Sequence, residues 1–423
     1  MGLILFGTFI ILVLLGTPIF VALAAGSLAF IPTLGISFTS AVQRMFSVAQ
    51  SFPLLAIPFF ILAGELMNRG GLSQRLVRFA TSLVGHVWGG LYQVAVVFSM
   101  FFAAVSGSAV ATASAIGTML IPEMEKRGYD KAFAAAVVAA AGPIGILIPP
   151  SIPMVVYAWI ANESVSKLLL GGVLPGILFG SALMILCAWV SYRRGYVREP
   201  RASLAKILRE AKETILALLT PVLVLGGIMF GIVTPTEAAV VGVAWAFVVG
   251  MFVYKDLKWS MLPDVLVDTA ASTASVMVII AAANIFAWLL ALGRVPDAIA
   301  QFVLSLTQNK YVVLLLLNGI LLITGMLIDL SPAIMIMTPI LLPIAKAVGV
   351  DPVHFGVIMV VNLGIGLFTP PVGTTMFIAS SISKLKMETV VKALAPFFVV
   401  TFIVLMAMTY IPGVALWLPS LLK

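Results

Sequence analysis

The sequence predicts an all-α polytopic membrane protein made of two inverted-topology repeats, with about ten spans plus two re-entrant helical hairpins. Three observations carry that expectation. The first is composition: of 423 residues 62% are apolar and 9% charged, with a mean hydropathy of +1.19, whereas roughly a quarter of a soluble domain is charged. Long apolar runs such as 215–231 and 397–418 favour helices over the alternating pattern of a barrel, and lipid admits only these two because neither leaves backbone groups unpaired. The second is a duplication without a gap: Pro122, Gly128, Gly145, Pro149, Pro150 and Pro175 return 221 positions later as Pro343, Gly349, Gly366, Pro370, Pro371 and Pro396. These residue types dictate where a helix bends or stops, so the halves share a backbone plan. The third is the distribution of basic residues, taken up below.

Apolar runs and breakers order the elements. The first repeat, 1–192, has spans near 2–15, 18–33, 52–68, 131–160 (a broken helix) and 167–190, with an amphipathic arm helix over 72–84 and a hairpin over 88–124. A basic linker, 193–213, joins it to the second repeat, 214–423. There the spans lie near 214–231, 234–253, 266–291, 352–382 (broken) and 388–410, with an arm over 295–306 and a hairpin over 311–346. Charge does not separate a hairpin from two full crossings, because the parity is the same. The uncharged tip Ser106-Gly-Ser-Ala-Val-Ala-Thr-Ala-Ser favours the hairpin.

An odd number of crossings per half inverts the second repeat. With the amino terminus outside, eighteen basic residues fall inside, from Arg69, Arg75 and Arg78 through the linker to Lys384, Lys386 and Lys392; only Arg44, Lys167, Arg294, Lys310, Lys346 and Lys423 fall outside. That is the positive-inside bias, and it places both termini on the outer side. The first residues lack a basic region, so no cleaved signal peptide is expected. The scattered cations argue against nucleic acid as a partner and for a lipid bilayer.

Two Pro-Pro breaks carry the chemistry. Each proline lacks the amide that would bond the carbonyl four residues back, which frees the carbonyls of Gly145 and Ile146 in the first half and of Gly366 and Leu367 in the second. Paired broken helices are how secondary transporters build a midplane site, and a dehydrated Na+ suits such carbonyls. The tips add oxygens. Ser106 and Ser108 correspond to Leu327 and Asp329, so the second half carries one more negative charge, costly at depth unless paired. Capping of the helix at Ser331-Pro332 is the competing reading of Asp329. Asp130 and Asp351, also 221 apart, read as helix caps; Glu65 and Glu237 read as interface or capping residues. Ser151, Gly373, Thr374 and Thr375, just past the breaks, are candidates for lining a substrate site.

Together, Ser106-Gly-Ser108, Pro122-Glu-Met, Gly128-Tyr-Asp-Lys, Gly145-Ile-Leu-Ile-Pro-Pro-Ser, Thr234-Pro-Thr-Glu-Ala-Ala and Leu363-Gly-Ile-Gly-Leu-Phe-Thr-Pro-Pro-Val-Gly make a specific combination. The chain resembles, over essentially its whole length, the large membrane subunit of tripartite ATP-independent periplasmic (TRAP) transporters. That resemblance implies an elevator-type ion-transporter fold and Na+-driven symport of an organic acid across the bacterial inner membrane. It implies two Na+ sites, one at Ser106, Ser108, Gly145, Ile148 and Pro150, the other at Asp329, Gly366, Thr369 and the Pro371-Val372 turn. It also implies two partners: a small four-helix membrane subunit, expected as a separate chain because this one begins at its first span, and a periplasmic solute-binding protein. A stand-alone sodium/dicarboxylate or citrate carrier is the alternative. No His-Asp, Ser-Lys or metal constellation lies at depth, and with two histidines and a single cysteine an enzyme is not expected.

Overall fold

A computed structural model of the chain describes residues 2–196, 198 and 200–422, which form helices and no strand. Lys423, expected outside, and Val197 and Glu199 of the linker lie outside the described residues. The first half runs through α1 (Gly2–Leu14), α2 (Ile19–Phe30), α3 (Phe38–Ala49), α4 (Ala56–Arg69) and the arm α5 (Leu72–Val84). Then come the hairpin of α6 (Gly90–Ser106) and α7 (Ala109–Lys126), the broken helix of α8 (Lys131–Ala141), α9 (Ile144–Leu147) and α10 (Ile152–Ala161), and α11 (Val165–Arg193). The second half opens with α12 (Leu204–Met229), α13 (Pro235–Val248), α14 (Leu262–Leu292) and the arm α15 (Val295–Leu306). It continues through the hairpin of α16 (Lys310–Leu327) and α17 (Leu330–Ala347), the broken pair α18 (Pro352–Gly366) and α19 (Thr374–Ser383), and ends with α20 (Met387–Tyr410) and α21 (Gly413–Leu416).

The duplication is visible in the bounds: α7 shifted by 221 gives 330–347, which are the limits of α17. Each hairpin turns within two residues, Gly107-Ser108 and Ile328-Asp329. Asp130 and Asp351 cap the broken helices as expected, accepting from the N–H groups of Ala132 and Phe133 at 2.8 and 3.1 Å and of Val353 and His354 at 2.8 and 3.1 Å. Glu237 closes a capping box with Thr234 at the start of α13.

Two features differ from expectation. Helix α3 was not anticipated; Ser37 caps it, accepting from Thr39 N–H at 3.1 Å. Pro53 then breaks the chain before α4, whereas the second half has Ala274 at the corresponding place and α14 runs unbroken for 31 residues. The linker is also shorter, because α12 begins at Leu204 with Ser203 as its cap. Half of its charged residues, Lys206, Arg209, Glu210, Lys212 and Glu213, sit on that helix, where Glu210 and Glu213 meet Arg78 of the arm at 3.5 and 3.6 Å.

Among the described residues, eight helices are long and apolar enough to cross a membrane, or nine if α8–α9 and α10, bent by 46°, count as one span. Both helices of the second hairpin are in that set; each has 18 residues, about 27 Å at 1.5 Å per residue. The halves interlock: α7 packs on α19 and α17 packs on α10, so each hairpin holds the other half's broken helix. At the centre, Ala134–Ala136 and Ala139–Ala141 of α8 are fully buried, small residues that let backbones approach. Around this core, α4 packs on α13, α2 on α1 and α14, and the arm α5 on α6 and α12.

Candidate functional site at the hairpin tips

The first tip is a closed knot of hydrogen bonds. Gly107 takes a left-handed conformation (φ 61°), which turns the chain so that Ser108 N–H donates to Ser106 Oγ at 3.2 Å. Ser106 Oγ in turn donates to the Ser108 carbonyl at 3.2 Å and lies 3.3 Å from Thr112 Oγ1, which donates to the same carbonyl at 2.8 Å. Ser108 Oγ caps α7, accepting from Ala111 N–H at 3.3 Å. The knot rests on the first break. A Cβ on Gly145 would lie 2.7 Å from Ser108 O, and one on Gly107 would lie 3.0 Å from Pro150 O. The structure therefore brings Ser106, Ser108, Gly145 and Pro150 together, with Ile148 extended beside them and against Gly176 of α11.

The second tip is built differently. Asp329 occupies the cap position of α17, yet its side chain makes no capping hydrogen bond and it forms no ion pair with any described residue. The capping reading of Asp329 thus finds no side-chain support. One turn earlier, Gly325 meets the break backbone to backbone: a Cβ on Gly366 would lie 2.6 Å from Gly325 Cα. Val372 N–H donates to Met326 O at 3.3 Å, fixing the Pro371-Val372 turn on the hairpin, while Thr369 Oγ1 donates to Ile365 O at 2.7 Å.

Three of the four carbonyls that lose a proline-blocked partner find another. Ile146 O accepts from Ser151 Oγ at 2.5 Å. Its equivalent, Leu367 O, accepts from Thr375 N and Oγ1, both at 2.9 Å, and Gly366 O accepts from Thr369 N at 3.0 Å. Only Gly145 O accepts no hydrogen bond among the described residues. Ser151 and Thr375 are wholly buried, and Thr375 Oγ1 also lies 3.0 Å from Ala139 O of α8; both hydroxyls are occupied closing the core. Thr374 Oγ1 is buried without a partner among the described residues, next to Gly373 in a left-handed conformation.

Two cavities meet these tips. A small one, about 140 Å³, is lined by Gly107, Ser108, Ile146, Leu367, Asp329 and Ser331, so both tips and both breaks face it. A larger one, about 740 Å³, lies between the first hairpin and the surrounding helices, with Ser106, Ser108 and Ser114 on one wall and Glu65, Asn68 and Arg69 on the other. Glu65 thus faces a cavity, not only an interface; an acid inside an apolar span was the signal for it. Arg69 is held by Asp268 and, at 3.9 Å, by Asp264. At Gly64, α4 runs beside the tip, where a Cβ would be in ordinary contact with Val105 O at 3.4 Å. On the opposite side α17 packs directly on α14.

A family model described as "Tripartite ATP-independent periplasmic transporter, DctM component" matches residues 6–414. The chain belongs to the DctM family. Among curated relatives it is 43% identical to the C4-dicarboxylate TRAP transporter large permease protein DctM of Pseudomonas aeruginosa, over 91% of this chain and 90% of that one. It is 39% identical to the sialic acid TRAP transporter large permease protein SiaM of Vibrio cholerae, over 96% and 95%. It is also 44% identical to the isethionate TRAP transporter permease protein DctMQ of Oleidesulfovibrio alaskensis, over 98% of this chain; the match spans 66% of that protein's length. Among solved structures, the YdaH transporter of Alcanivorax borkumensis superposes with a TM-score of 0.65 at 14% identity, covering 88% of this chain and 87% of that one, a likeness of fold. This DctM-family protein is therefore a multi-pass membrane permease of the TRAP type.

Proposed function

We propose that this DctM-family chain is the membrane subunit of a Na+-coupled symporter that imports an organic acid across the bacterial inner membrane. The substrate is a small organic anion such as a C4-dicarboxylate or sialic acid, the classes named for its relatives, handed over by a periplasmic solute-binding protein. A separate small four-helix membrane subunit completes the transporter. The observation that carries the reading is Asp329: a carboxylate on a hairpin tip, without a cap bond or a basic partner among the described residues, facing a small cavity that Ser108 also lines. An ionised group so placed is costly until a cation joins it, so Na+ is the natural complement, with Gly366, Thr369 and the 371–372 turn proposed as its further ligands. The open Gly145 carbonyl and the Ser106–Ser108 knot suit a second, uncharged Na+ site.

The elevator reading rests on the division between the interlocked core of hairpins and broken helices and the helices around it. With both termini periplasmic, the larger cavity borders the cytoplasmic end of α4 and the start of α5. Binding of Na+ at Asp329 neutralises the tip, which allows it to pass the apolar scaffold with its substrate.

The test is uptake into proteoliposomes that hold this chain with the small subunit, supplied with candidate binding proteins and an imposed Na+ gradient. Accumulation that requires both the gradient and a binding protein is expected. Uptake without Na+ contradicts the coupling, and uptake by this chain alone would place it with the stand-alone carriers.

A further inference from the structure

The segment between the halves carries a feature that transport itself does not use. Helix α12 has 26 residues, about 39 Å at 1.5 Å per residue, against roughly 30 Å of bilayer hydrocarbon. Its outward apolar stripe nevertheless reaches its first turn: Leu204, Leu208, Ile215 and Val222, spaced four, seven and seven residues apart on one face, are 71, 61, 50 and 61% exposed. The first two turns of α12 therefore stand at headgroup depth with Lys206 and Arg209 on them, and Lys212 follows just inside.

Helices α11 and α6 both pack on α12, and where the end of α11 meets the start of α6, at Ser191 and Gly89, a second set of interfacial groups is found. Trp189 and Tyr192 are 55 and 63% exposed. The Arg193 guanidinium lies 5.4 Å from the Trp189 ring and that of Arg198 lies 4.2 Å from the Trp88 ring, which Tyr192 meets edge-on at 5.3 Å. Nearby acids are already engaged: Asp130 with Arg194 at 2.6 Å, and Glu210 and Glu213 with Arg78. Among the described residues, Arg193, Arg198, Arg201, Lys206 and Lys212 form no ion pair. Over 193–213 the sequence has seven basic and three acidic residues.

We propose that this end of the protein is a binding site for anionic phospholipid headgroups. Guanidinium groups offer paired donors to a phosphate diester. The tryptophan and tyrosine rings mark the headgroup level, and the polybasic stretch supplies attraction to an anionic leaflet. The apolar stripe of α12 selects a lipid over a soluble anion, because it places the cations where phosphates of neighbouring lipids lie. Arg193 and Arg198 lie over aromatic rings that belong to that layer.

The full chain, reconstituted with its small subunit, tests this through tryptophan fluorescence in vesicles of brominated phosphatidylglycerol or brominated phosphatidylcholine diluted into the unbrominated lipid. The signal of Trp88 and Trp189 is isolated by subtracting the Trp88→Phe/Trp189→Phe variant. Brominated phosphatidylglycerol is expected to quench it about threefold more strongly at equal mole fraction, a preference that falls as choline chloride is added. The triple change Arg193→Gln, Arg198→Gln and Arg201→Gln abolishes the preference, and the triple change to Lys keeps most of it. Equal quenching by the two lipids, or a preference that survives the Gln variant, overturns the proposal. Where the Gln variant does not fold, the salt titration of the natural chain decides, and a preference indifferent to salt overturns it.

Discussion

The two hairpin tips stand 221 residues apart in equivalent places and settle their polar groups in opposite ways. At the first, Ser106, Ser108 and Thr112 bond to one another and the tip is neutral and complete. At the second, Asp329 has neither a capping bond nor an ionic partner among the described residues. The breaks differ too. The first meets its hairpin through hydroxyls and a carbonyl around Gly145, the second through a direct Gly325–Gly366 backbone contact. A tip that satisfies itself can bind an ion weakly by exchanging bonds; a tip whose carboxylate has no ionic partner depends on the ion.

The largest expected asymmetry is in ion dependence. Asp329→Asn should raise the Na+ concentration for half-maximal uptake at least about tenfold, the effect of losing roughly 1.5–3 kcal/mol from one charged contact. Ser106→Ala should shift it much less, because Ser108 O and Thr112 remain. Equal shifts would erase the distinction between the tips.

The backbone contacts come next. Gly366→Ala drives a methyl group into the Gly325 backbone, which has no side chain to move aside, and is expected to cost about 1–3 kcal/mol of stability. Gly145→Ala meets partly the Thr112 side chain, which can rotate, and should cost less. Thermal unfolding in detergent compares the two, and a reversed order would show that the second crossing yields more easily than its geometry implies.

The hydroxyls at the breaks give a smaller pair. Ser151→Ala leaves Ile146 O unpaired in the core, about 1–3 kcal/mol. Thr375→Val spares Leu367 O, still bonded to the residue-375 N–H, but strips Ala139 O, whose helical partner position is Pro143, of the Thr375 hydroxyl, so about 1–3 kcal/mol is expected there too. A loss confined to one of the two variants would contradict that equivalence.

The smallest difference concerns the caps. Burial works against the Asp130 carboxylate, but the Phe133 N–H and the Arg194 guanidinium outweigh it and hold its carboxyl below the usual range. A depressed value stabilises above the unfolded pKa, near 4, and is lost as pH falls through the lower folded value. Thermal stability measured from about pH 6 to about pH 3 should therefore fall less in Asp130→Asn than in the natural chain. An unchanged acid slope would remove Asp130 from the account.

Much of this architecture was legible because prolines and glycines act on the backbone directly. The tips at Gly107-Ser108 and Ile328-Asp329, the two breaks and both arms fall within a few residues of where the spacing puts them. Helix α3 escaped because Phe38, Val42 and Phe46 make a short amphipathic stripe among polar residues, below the length of a span. The start of α12 escaped because Lys206, Arg209 and Lys212 resemble a solvated linker, although Ser203 is a cap signal. The fate of the freed carbonyls was hidden for another reason. A proline reveals which amide is missing, but whether Ser151, Thr369 or Thr375 folds back to replace it depends on the path of the chain after the break.

The most direct measurement is equilibrium Na+ binding to the purified chain, by isothermal titration, for the natural sequence and for Asp329→Asn, with Ser106→Ala as the companion. The account predicts that Asp329→Asn binds one Na+ fewer per chain while its melting profile without Na+ is kept, and that Ser106→Ala retains the full number at lower affinity. An unchanged stoichiometry and affinity in Asp329→Asn would contradict it.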